Sequence, residues 1–366
     1  MTPKTVNVVL TGDKNYVYPM GVLITSIAEN LSKNTKLRVF LFVQGFDEND
    51  KAELNKLLLQ YNFLNIVYVD MDKYLHYFKE CDVSTFRLQY ISLATYFRLL
   101  MFKILPDDVD WCFYIDGDMT IDTDLAKLQS EIPENKLFAG VMEVFAMTER
   151  KTILAHLLKM TDFSKFAKNP FEAPYFNAGF FLANIGKLRK INIFDKMMDF
   201  LRRYPNPVYA DQDTLNATIG QMYNKDIVLL DPAYNVFCNI SYRKDFESPI
   251  YSAKQVKEAF KKPKIYHFVG WEKPWKVKTQ HFFDVWWKYA KKSPFYNVLK
   301  KSKPKVYQKQ EKYLVLSIPL LCVNYTSNRK KFYLLSLINI LTVRLSRHKR
   351  SYWLFNAVPV LSIYKR

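Results

Sequence analysis

Two carboxylates one residue apart, Asp116 and Asp118, directly follow the apolar run Trp111-Cys112-Phe113-Tyr114-Ile115, with Gly117 between them. A strand of that composition releases both carboxylates together at its end, where a ligand of an α/β sheet would lie. Two hard oxygen ligands so placed can share a divalent cation and leave its other positions to phosphate oxygens and water. Turns after strands are also rich in aspartate, so the pair alone does not separate a cation site from an ordinary turn.

The elements that must position this pair are legible as alternation. Val6–Leu10 is a short β-branched run that stops at Thr11-Gly12-Asp13, and Leu37–Val43 is a second. A helical pattern over Asn49–Tyr61, the strand Ile66–Val69 and a helix-like stretch from Ser92, its N-cap, to Leu105 follow before Trp111–Ile115. Strands alternating with helices of this length, from residue 6 to about 230, predict an α/β fold with a mixed, mainly parallel, Rossmann-like sheet covered on both faces.

The chain has 366 residues, 49% hydrophobic and 16% aromatic, which is enough to bury a large core and excludes a disordered protein. Cysteines 81, 112, 238 and 322 form no CxxC pair and no zinc-like spacing with the five histidines, as expected in a reducing cytoplasm. The run Val6–Leu10 is too short for a signal peptide, and the apolar run Leu314–Val323 falls short of the roughly 18 residues of a spanning helix. A cytoplasmic protein is the expectation.

Charge is concentrated at one end. From Lys291 to Arg366 there are 17 Lys and Arg against the single acid Glu311, so 16 of the 19 net positive charges lie there. Such a field attracts a polyanion: an anionic membrane face, a lipid-linked sugar phosphate or nucleic acid. Residues 291–310, lysine-rich with Pro294 and Pro304, read as a basic linker after a catalytic region of residues 1–290. Within residues 311–366 the strings Ile318–Val323, Ile338–Val343 and Val358–Ile363 recur every 20 residues, preceded by Tyr313, Phe332-Tyr333 and Tyr352-Trp353. A fixed period predicts stacked small units, each a short hairpin or strand pair. Rings beside cations suit the inner face of a bilayer, to which the tail would attach the protein peripherally. The other reading is a small basic β appendage covering one end of the catalytic domain.

Six segments give the sequence its specific resemblance. Thr11-Gly12-Asp13-Lys14-Asn15-Tyr16, Ile91-Ser92-Leu93-Ala94-Thr95-Tyr96-Phe97-Arg98, Tyr114-Ile115-Asp116-Gly117-Asp118, Tyr175-Phe176-Asn177-Ala178-Gly179-Phe180, Asp211-Gln212-Asp213-Thr214-Leu215-Asn216 and His267-Phe268-Val269-Gly270-Trp271-Glu272-Lys273-Pro274-Trp275 occur in one order. Over about residues 5–285 the chain thereby resembles the family 8 retaining glycosyltransferases, in particular bacterial lipopolysaccharide galactosyl- and glucosyltransferases. The resemblance implies a GT-A-type fold and a UDP-hexose donor, with Mn2+ or Mg2+ as cofactor. A glycan or glycolipid acceptor, such as a lipopolysaccharide core, is implied with them.

Residue by residue, it implies that Asp13, Asn15 and Tyr16 hold the uracil and ribose, Tyr16 stacking on the base. It implies that Arg98 binds near the donor sugar and phosphates, and that Asp116, Asp118 and His267 are the metal ligands. Gly270 and Lys273 match the loop over the diphosphate, and Asn177, Asp211 and Gln212 the pocket around the transferred sugar. Taken singly, Asp13 could cap a βα turn, Arg98 could be a surface arginine, Asn177 could sit in a tight turn and His267 could be a satisfied core histidine.

Two features depart from the family pattern. Glu143 stands where relatives often have aspartate, and the segment Met147–Ala173 on the acceptor side is long.

With Gln212, a poor nucleophile, where a retaining enzyme would need a carboxylate, the resemblance implies front-face transfer, with Lys273 and the metal ion countering charge on the departing diphosphate. A nucleic-acid-binding protein is disfavoured because the tail's rings lie in apolar strings with proline, and no nucleic-acid partner is expected. A carbohydrate-binding scaffold without catalysis remains the alternative.

Overall fold

The computed structural model describes residues 5–81, 93–143, 175–204, 207, 209–220, 223–238, 251–270, 273–278, 281–302, 304–306, 309–315, 318–326, 329–334, 338–345, 349–354 and 358–364. Ser92 and the Met147–Ala173 segment lie outside them. The chain forms two compact units, one of Met1–Trp271 with Asp284–Leu299 and one of Glu272–Phe283 with Lys300–Arg366.

In the first unit the strands are β1 (Thr5–Asp13), β2 (Lys36–Gln44), β3 (Leu64–Asp70), β4 (Trp111–Ile115), β5 (Met119–Ile121), β6 (Phe138–Met142), β7 (Phe176–Asn184), β8 (Ile227–Leu229), β9 (Val236–Phe237) and β10 (Ile265–His267). Seven of them form a sheet in the order β3-β2-β1-β4-β7-β6-β8. β7 runs antiparallel to its neighbours β4 and β6, and the other described pairings are parallel. This is the mixed, mainly parallel sheet expected. Its central strands are apolar on both faces: Val6, Val8, Val9 and Leu10 of β1 are fully buried, as are Phe113, Tyr114 and Ile115 of β4.

Local chemistry sets the helix boundaries. Asp47 accepts from the amide of Asp50 at 2.9 Å while Asp50 accepts from the amide of Asp47 at 3.1 Å, a reciprocal cap that starts the helix Glu48–Gln60. The helix expected to Leu105 is instead a 3-10 helix, Leu93–Leu100, followed by one α-turn, Met101–Ile104. Phe97, Leu99, Leu100, Met101 and Phe102 are all buried, so the apolar residues do not keep to one helical stripe, and tertiary packing overrides the 3.6-residue pattern.

The linker expected over residues 291–310 is helical in its first half. The helix Phe283–Lys292 runs into it and Tyr296–Lys301 follows. Between them the Phe295 ring is fully buried against Gly21, where an added Cβ would lie 2.1 Å from Phe295 Cε2. Pro294 therefore marks a corner between two helices, because one buried aromatic anchors a lysine-rich stretch.

The second unit pairs β11 (Val277–Lys278) with β12 (Lys305–Val306) and continues into a six-stranded meander: β13 (Lys309–Val315), β14 (Ile318–Thr326), β15 (Arg329–Leu334), β16 (Ile338–Leu345), β17 (Lys349–Leu354) and β18 (Val358–Tyr364). Each strand pairs antiparallel with the next. The pairings skip Leu320, Ile340 and Val360, one extra residue at the same point of each apolar string. The 20-residue period of the sequence is thus also a period of β-bulges, which bend and twist a strand.

Candidate active site

Two sheets converge on the acidic pair. β4 ends at Ile115, opposite Phe180 of β7, and the Asp116 amide donates to the Gly179 carbonyl at 2.8 Å. Directly after Asp118, β5 pairs antiparallel with β10, placing His267 opposite Met119. On its other side β10 pairs with β9, which begins one residue after Asn235. The small sheet β5-β10-β9 therefore gathers Asp118, His267 and Asn235 from positions 149 residues apart in the chain.

One oxygen of Asp116 is already occupied. Oδ1 accepts from the Tyr114 hydroxyl at 2.8 Å and lies 3.0 Å from Arg98 Nη2, while Oδ2 faces His267 Nε2 at 3.7 Å. Asp118 Oδ1 lies 3.3 Å from the same nitrogen. One ligand atom from each of the three residues falls within 4.8 Å of the others. Gly179 makes room for this approach: a Cβ there would lie 2.6 Å from His267 Cε1 and 2.7 Å from Asp116 Oδ2.

Hydrogen-bond polarity decides what His267 presents. The Gly179 amide donates to Asn177 Oδ1 at 2.9 Å, and Asn177 Nδ2 donates to the Glu143 carboxylate, which fixes the Asn177 amide. Asn235 Nδ2 donates to that same Asn177 oxygen at 2.8 Å, so Asn235 Oδ1, 2.9 Å from His267 Nδ1, is left to accept. Nδ1 must carry hydrogen, and Nε2 is the ring nitrogen able to offer a lone pair. Two carboxylate oxygens and an imidazole lone pair then face one point. This donor set of hard oxygens and one nitrogen fits a divalent ion such as manganese or magnesium. The charge balance agrees, since the carboxylates of Asp116, Asp118 and Asp211 all lie around one buried guanidinium, Arg98.

Arg98 is buried, not the surface arginine that its helical position allows. Its Nη1 donates to the Ala178 carbonyl at 2.6 Å, its Nε to the Thr95 carbonyl at 3.0 Å, and its guanidinium stacks 4.4 Å from the centre of the Tyr114 ring. Nε is also 2.8 Å from Asp211 Oδ2, but its hydrogen points to Thr95, and no donor is aimed at that buried oxygen among the described residues. Burial raises the Asp211 carboxyl, Arg98 only partly offsets this, and the result is a group pushed up to about 7.

Gln212 is held through its oxygen, which accepts from the Ala178 amide at 2.9 Å and from Asn177 Nδ2 at 3.1 Å. Its nitrogen makes two 3.4 Å contacts, to Glu143 and to the Tyr175 hydroxyl, longer than an ordinary N–H···O bond. Asn216, which follows the short helix Asp211–Leu215, clips that helix to β7 by pairing with both backbone groups of Phe176 at 2.8 Å. Asp213 is committed to structure, accepting from Tyr175 at 2.5 Å and from the Tyr209 amide at 2.9 Å. Just before the helix, Ala210 has φ 50° and ψ −119°, a strained conformation for a non-glycine residue.

The structure brings Arg98, Asp116, Asp118, Asn177, Asp211, Gln212 and His267 into one network. At the end of β1, Asp13 caps the following turn, accepting from the Asn15 amide at 2.8 Å, and both residues are exposed. Tyr16 is half-buried, and a Cβ on Gly117 would lie 3.0 Å from its ring, so the ring lies over the Asp116–Asp118 turn. Burial, with Asp118 and Asp116 nearby, pushes its hydroxyl far above the ordinary tyrosine range. Gly270 has φ 75°, which only glycine adopts readily, and Lys273 is buried and belongs to the second compact unit. The sequence reading did not include Asn235, and it quoted Tyr114, Tyr175, Gly179 and Asn216 within the motifs without giving them a role.

The mainly parallel sheet, with the two-aspartate, one-histidine cluster beyond the carboxyl end of β4, is the fold of the GT-A glycosyltransferases. The chain belongs to Glycosyl transferase family 8, whose sequence profile matches residues 7–279. It is 25% identical over 280 residues to General stress protein A of Bacillus subtilis, covering 75% of this chain and 89% of that protein. It is 27% identical over 272 residues to the lipopolysaccharide 1,3-galactosyltransferase of Salmonella typhimurium, covering 72% and 71%. The solved apo structure of the bifunctional glycosyltransferase WbbM superposes with a TM-score of 0.68 at 23% identity, over 82% of this chain and 52% of that one. The chain thus spans about half the length of that structural neighbour.

Proposed function

We propose that the protein is a retaining hexosyltransferase that moves galactose or glucose from a UDP-sugar to a glycan or glycolipid acceptor, with a lipopolysaccharide or lipooligosaccharide core as the acceptor class. The single observation that carries this is the Asp116 Oδ2, Asp118 Oδ1 and His267 Nε2 set beside Asn177, Asp211 and Gln212, with the lone pair of His267 fixed toward the carboxylates. A divalent cation, when bound, supplies positive charge to the diphosphate as it departs.

The residues divide the remaining work. Asp116 and Asp118 hold the cation, and His267 completes the set. Tyr16 supplies a ring for the base, with Asp13 and Asn15 at the ribose and uracil. Arg98 sets the orientation of Asp116 and Asp211 together. Asp211 Oδ2, buried without a directed donor, accepts from a sugar hydroxyl, because a buried acceptor left unpaired is costly. Gln212 offers its weakly held N–H groups on the face where the acceptor arrives. Lys273 and Gly270 are assigned from the family motif, the ammonium countering charge on the leaving group.

The two aspartates that flank Gln212 in the sequence support front-face transfer. Asp213 has both oxygens engaged and cannot act as nucleophile without breaking these contacts, and burial pushes the Asp211 carboxyl up to about 7, which leaves it a weak nucleophile. The leaving phosphate then takes the acceptor's proton. Mass spectrometry of enzyme quenched with donor is expected to show no glycosyl adduct on Asp211; an adduct there contradicts the scheme.

We assign peripheral attachment to the inner face of the cell membrane to residues 311–366. The concentrated positive charge and the repeated strings support it, and no helix among the described residues is long and apolar enough to cross a membrane. Deleting residues 300–366 is expected to spare donor hydrolysis and to abolish sedimentation with anionic vesicles. The substrate reading is tested by incubating the protein with a panel of UDP-sugars and Mn2+ and following UDP release. Release from UDP-galactose or UDP-glucose is expected, and no release from any hexose donor contradicts the proposal.

A further inference from the structure

Asn235 belongs to no motif of the site, yet its side chain hydrogen-bonds both the metal-ligand histidine and the sugar-pocket amide. It is 3% exposed, lies between the 3-10 turn Pro232–Tyr234 and β9, and uses both ends of its carboxamide, Oδ1 toward His267 Nδ1 and Nδ2 toward Asn177 Oδ1. Neither end can be reversed. Asn177 Oδ1 also accepts from the Gly179 amide, so it cannot donate to Asn235, and a flipped Asn235 would set two carbonyl oxygens against each other. The Phe237 ring meets the imidazole edge-on at 5.2 Å, which holds the ring plane but does not select a tautomer.

We propose that Asn235 is a positioning residue that selects the tautomer of His267 and couples it to the sugar-pocket pair Asn177–Gln212. Through Nδ1–H···Oδ1 it turns the Nε2 lone pair toward Asp116 and Asp118. Through Nδ2–H it draws Asn177 into the orientation in which that residue donates to Glu143 and to Gln212 Oε1. The metal-facing atoms and the sugar-facing amides are thereby set by one residue, so the two halves of the site are built together. The consequence for cation binding rests on the transferase reading above; the tautomer itself does not.

Two substitutions separate the two ends. Asn235→Asp keeps an acceptor for His267 Nδ1–H but can no longer donate to Asn177. Asn235→Ala removes both functions. The first measurement is 15N NMR of imidazole-labelled, full-length, metal-free protein at pH 8.5. His267, one of five histidines, is assigned by the loss of its signals in His267→Asn. The wild type and Asn235→Asp are expected to show the Nδ1–H tautomer, and Asn235→Ala a mixture or the Nε2–H form. An Nε2–H tautomer in the wild type, or an unchanged one in Asn235→Ala, overturns the proposal.

The second measurement is Mn2+ binding, followed by loss of the free-ion EPR signal. Asn235→Ala is expected to bind about 10- to 100-fold more weakly, the usual effect of losing a partner behind a metal-ligating histidine. Asn235→Asp is expected to keep wild-type affinity while its transfer rate falls. Equal loss of Mn2+ affinity in both variants overturns the coupling and leaves Asn235 a packing residue. If the wild type binds no Mn2+ while its tautomer is Nδ1–H, the transferase reading fails and the tautomer assignment stands. Should Asn235→Ala not fold, Asn235→Asp against Asn235→Ser carries the same comparison.

Discussion

The two compact units are built on opposite principles. In the first, residues 116, 179, 235 and 267 come from four separate segments and meet within a few ångströms, so its site depends on long-range pairing. In the second, every strand of the meander pairs with the next one in sequence and the same bulge returns every 20 residues. A site assembled from distant residues fails when any one of them is displaced. A meander of repeated units tolerates the loss of a unit, since each contacts only its neighbours.

The largest expected effect comes from adding one carbon to the first unit. Gly179→Ala removes no chemical group, yet its Cβ would occupy space between His267 and Asp116. UDP release is expected to fall on the order of 1000-fold, as when a metal ligand is lost. Wild-type rates in that variant would show that the close approach is not required.

Removing one whole repeat, residues 338–357, provides the counterpart. UDP release is expected to stay within about twofold of wild type, because the remaining strands re-pair in the same register. Collapse of donor hydrolysis would erase the distinction between the units.

A smaller effect follows from Asp211 and pH. Its folded carboxyl keeps its proton to about 7, whereas an unfolded one releases it near about 3.9. Between those values the folded state binds more protons than the unfolded state, so the contribution to stability declines as pH rises from about 4 to about 7 and is level above. Thermal unfolding of metal-free Asp211→Asn is expected to lack this decline. A slope equal to that of the wild type would assign it elsewhere.

Smallest is Ala210→Gly, which relieves the positive φ before Asp211 and is expected to raise the melting temperature on the order of 2 °C, about 1 kcal/mol of strain. A decrease would mean that the backbone there is not strained.

Much of the first unit was legible because its signals are local. The apolar run Trp111–Ile115 coincides with β4, and the strands over Leu37–Val43 and Ile66–Val69 each extend by one or two residues at either end. Asp116 and Asp118 announced themselves by following such a run. Asn235 did not, because Pro232-Ala233-Tyr234-Asn235 reads as an ordinary turn and its role arises only when β9 and β10 pair. Gly179 was hidden for a similar reason, since nothing local marks which glycine faces a histidine 88 positions later. Residues 291–310 were misread because lysine and proline dominate their composition, while one buried ring, Phe295, decides their structure.

In the proposed transfer, Asp116, Asp118 and His267 hold a cation while a sugar leaves its diphosphate. The most direct measurement is UDP release from the preferred UDP-hexose, with Mn2+ and after EDTA, by the wild type and by Asp118→Asn and His267→Ala. Release is expected to be abolished by EDTA and restored by added Mn2+ in the wild type, and neither variant is expected to recover it. Release that survives EDTA, or variants as active as the wild type, would contradict the proposed transfer.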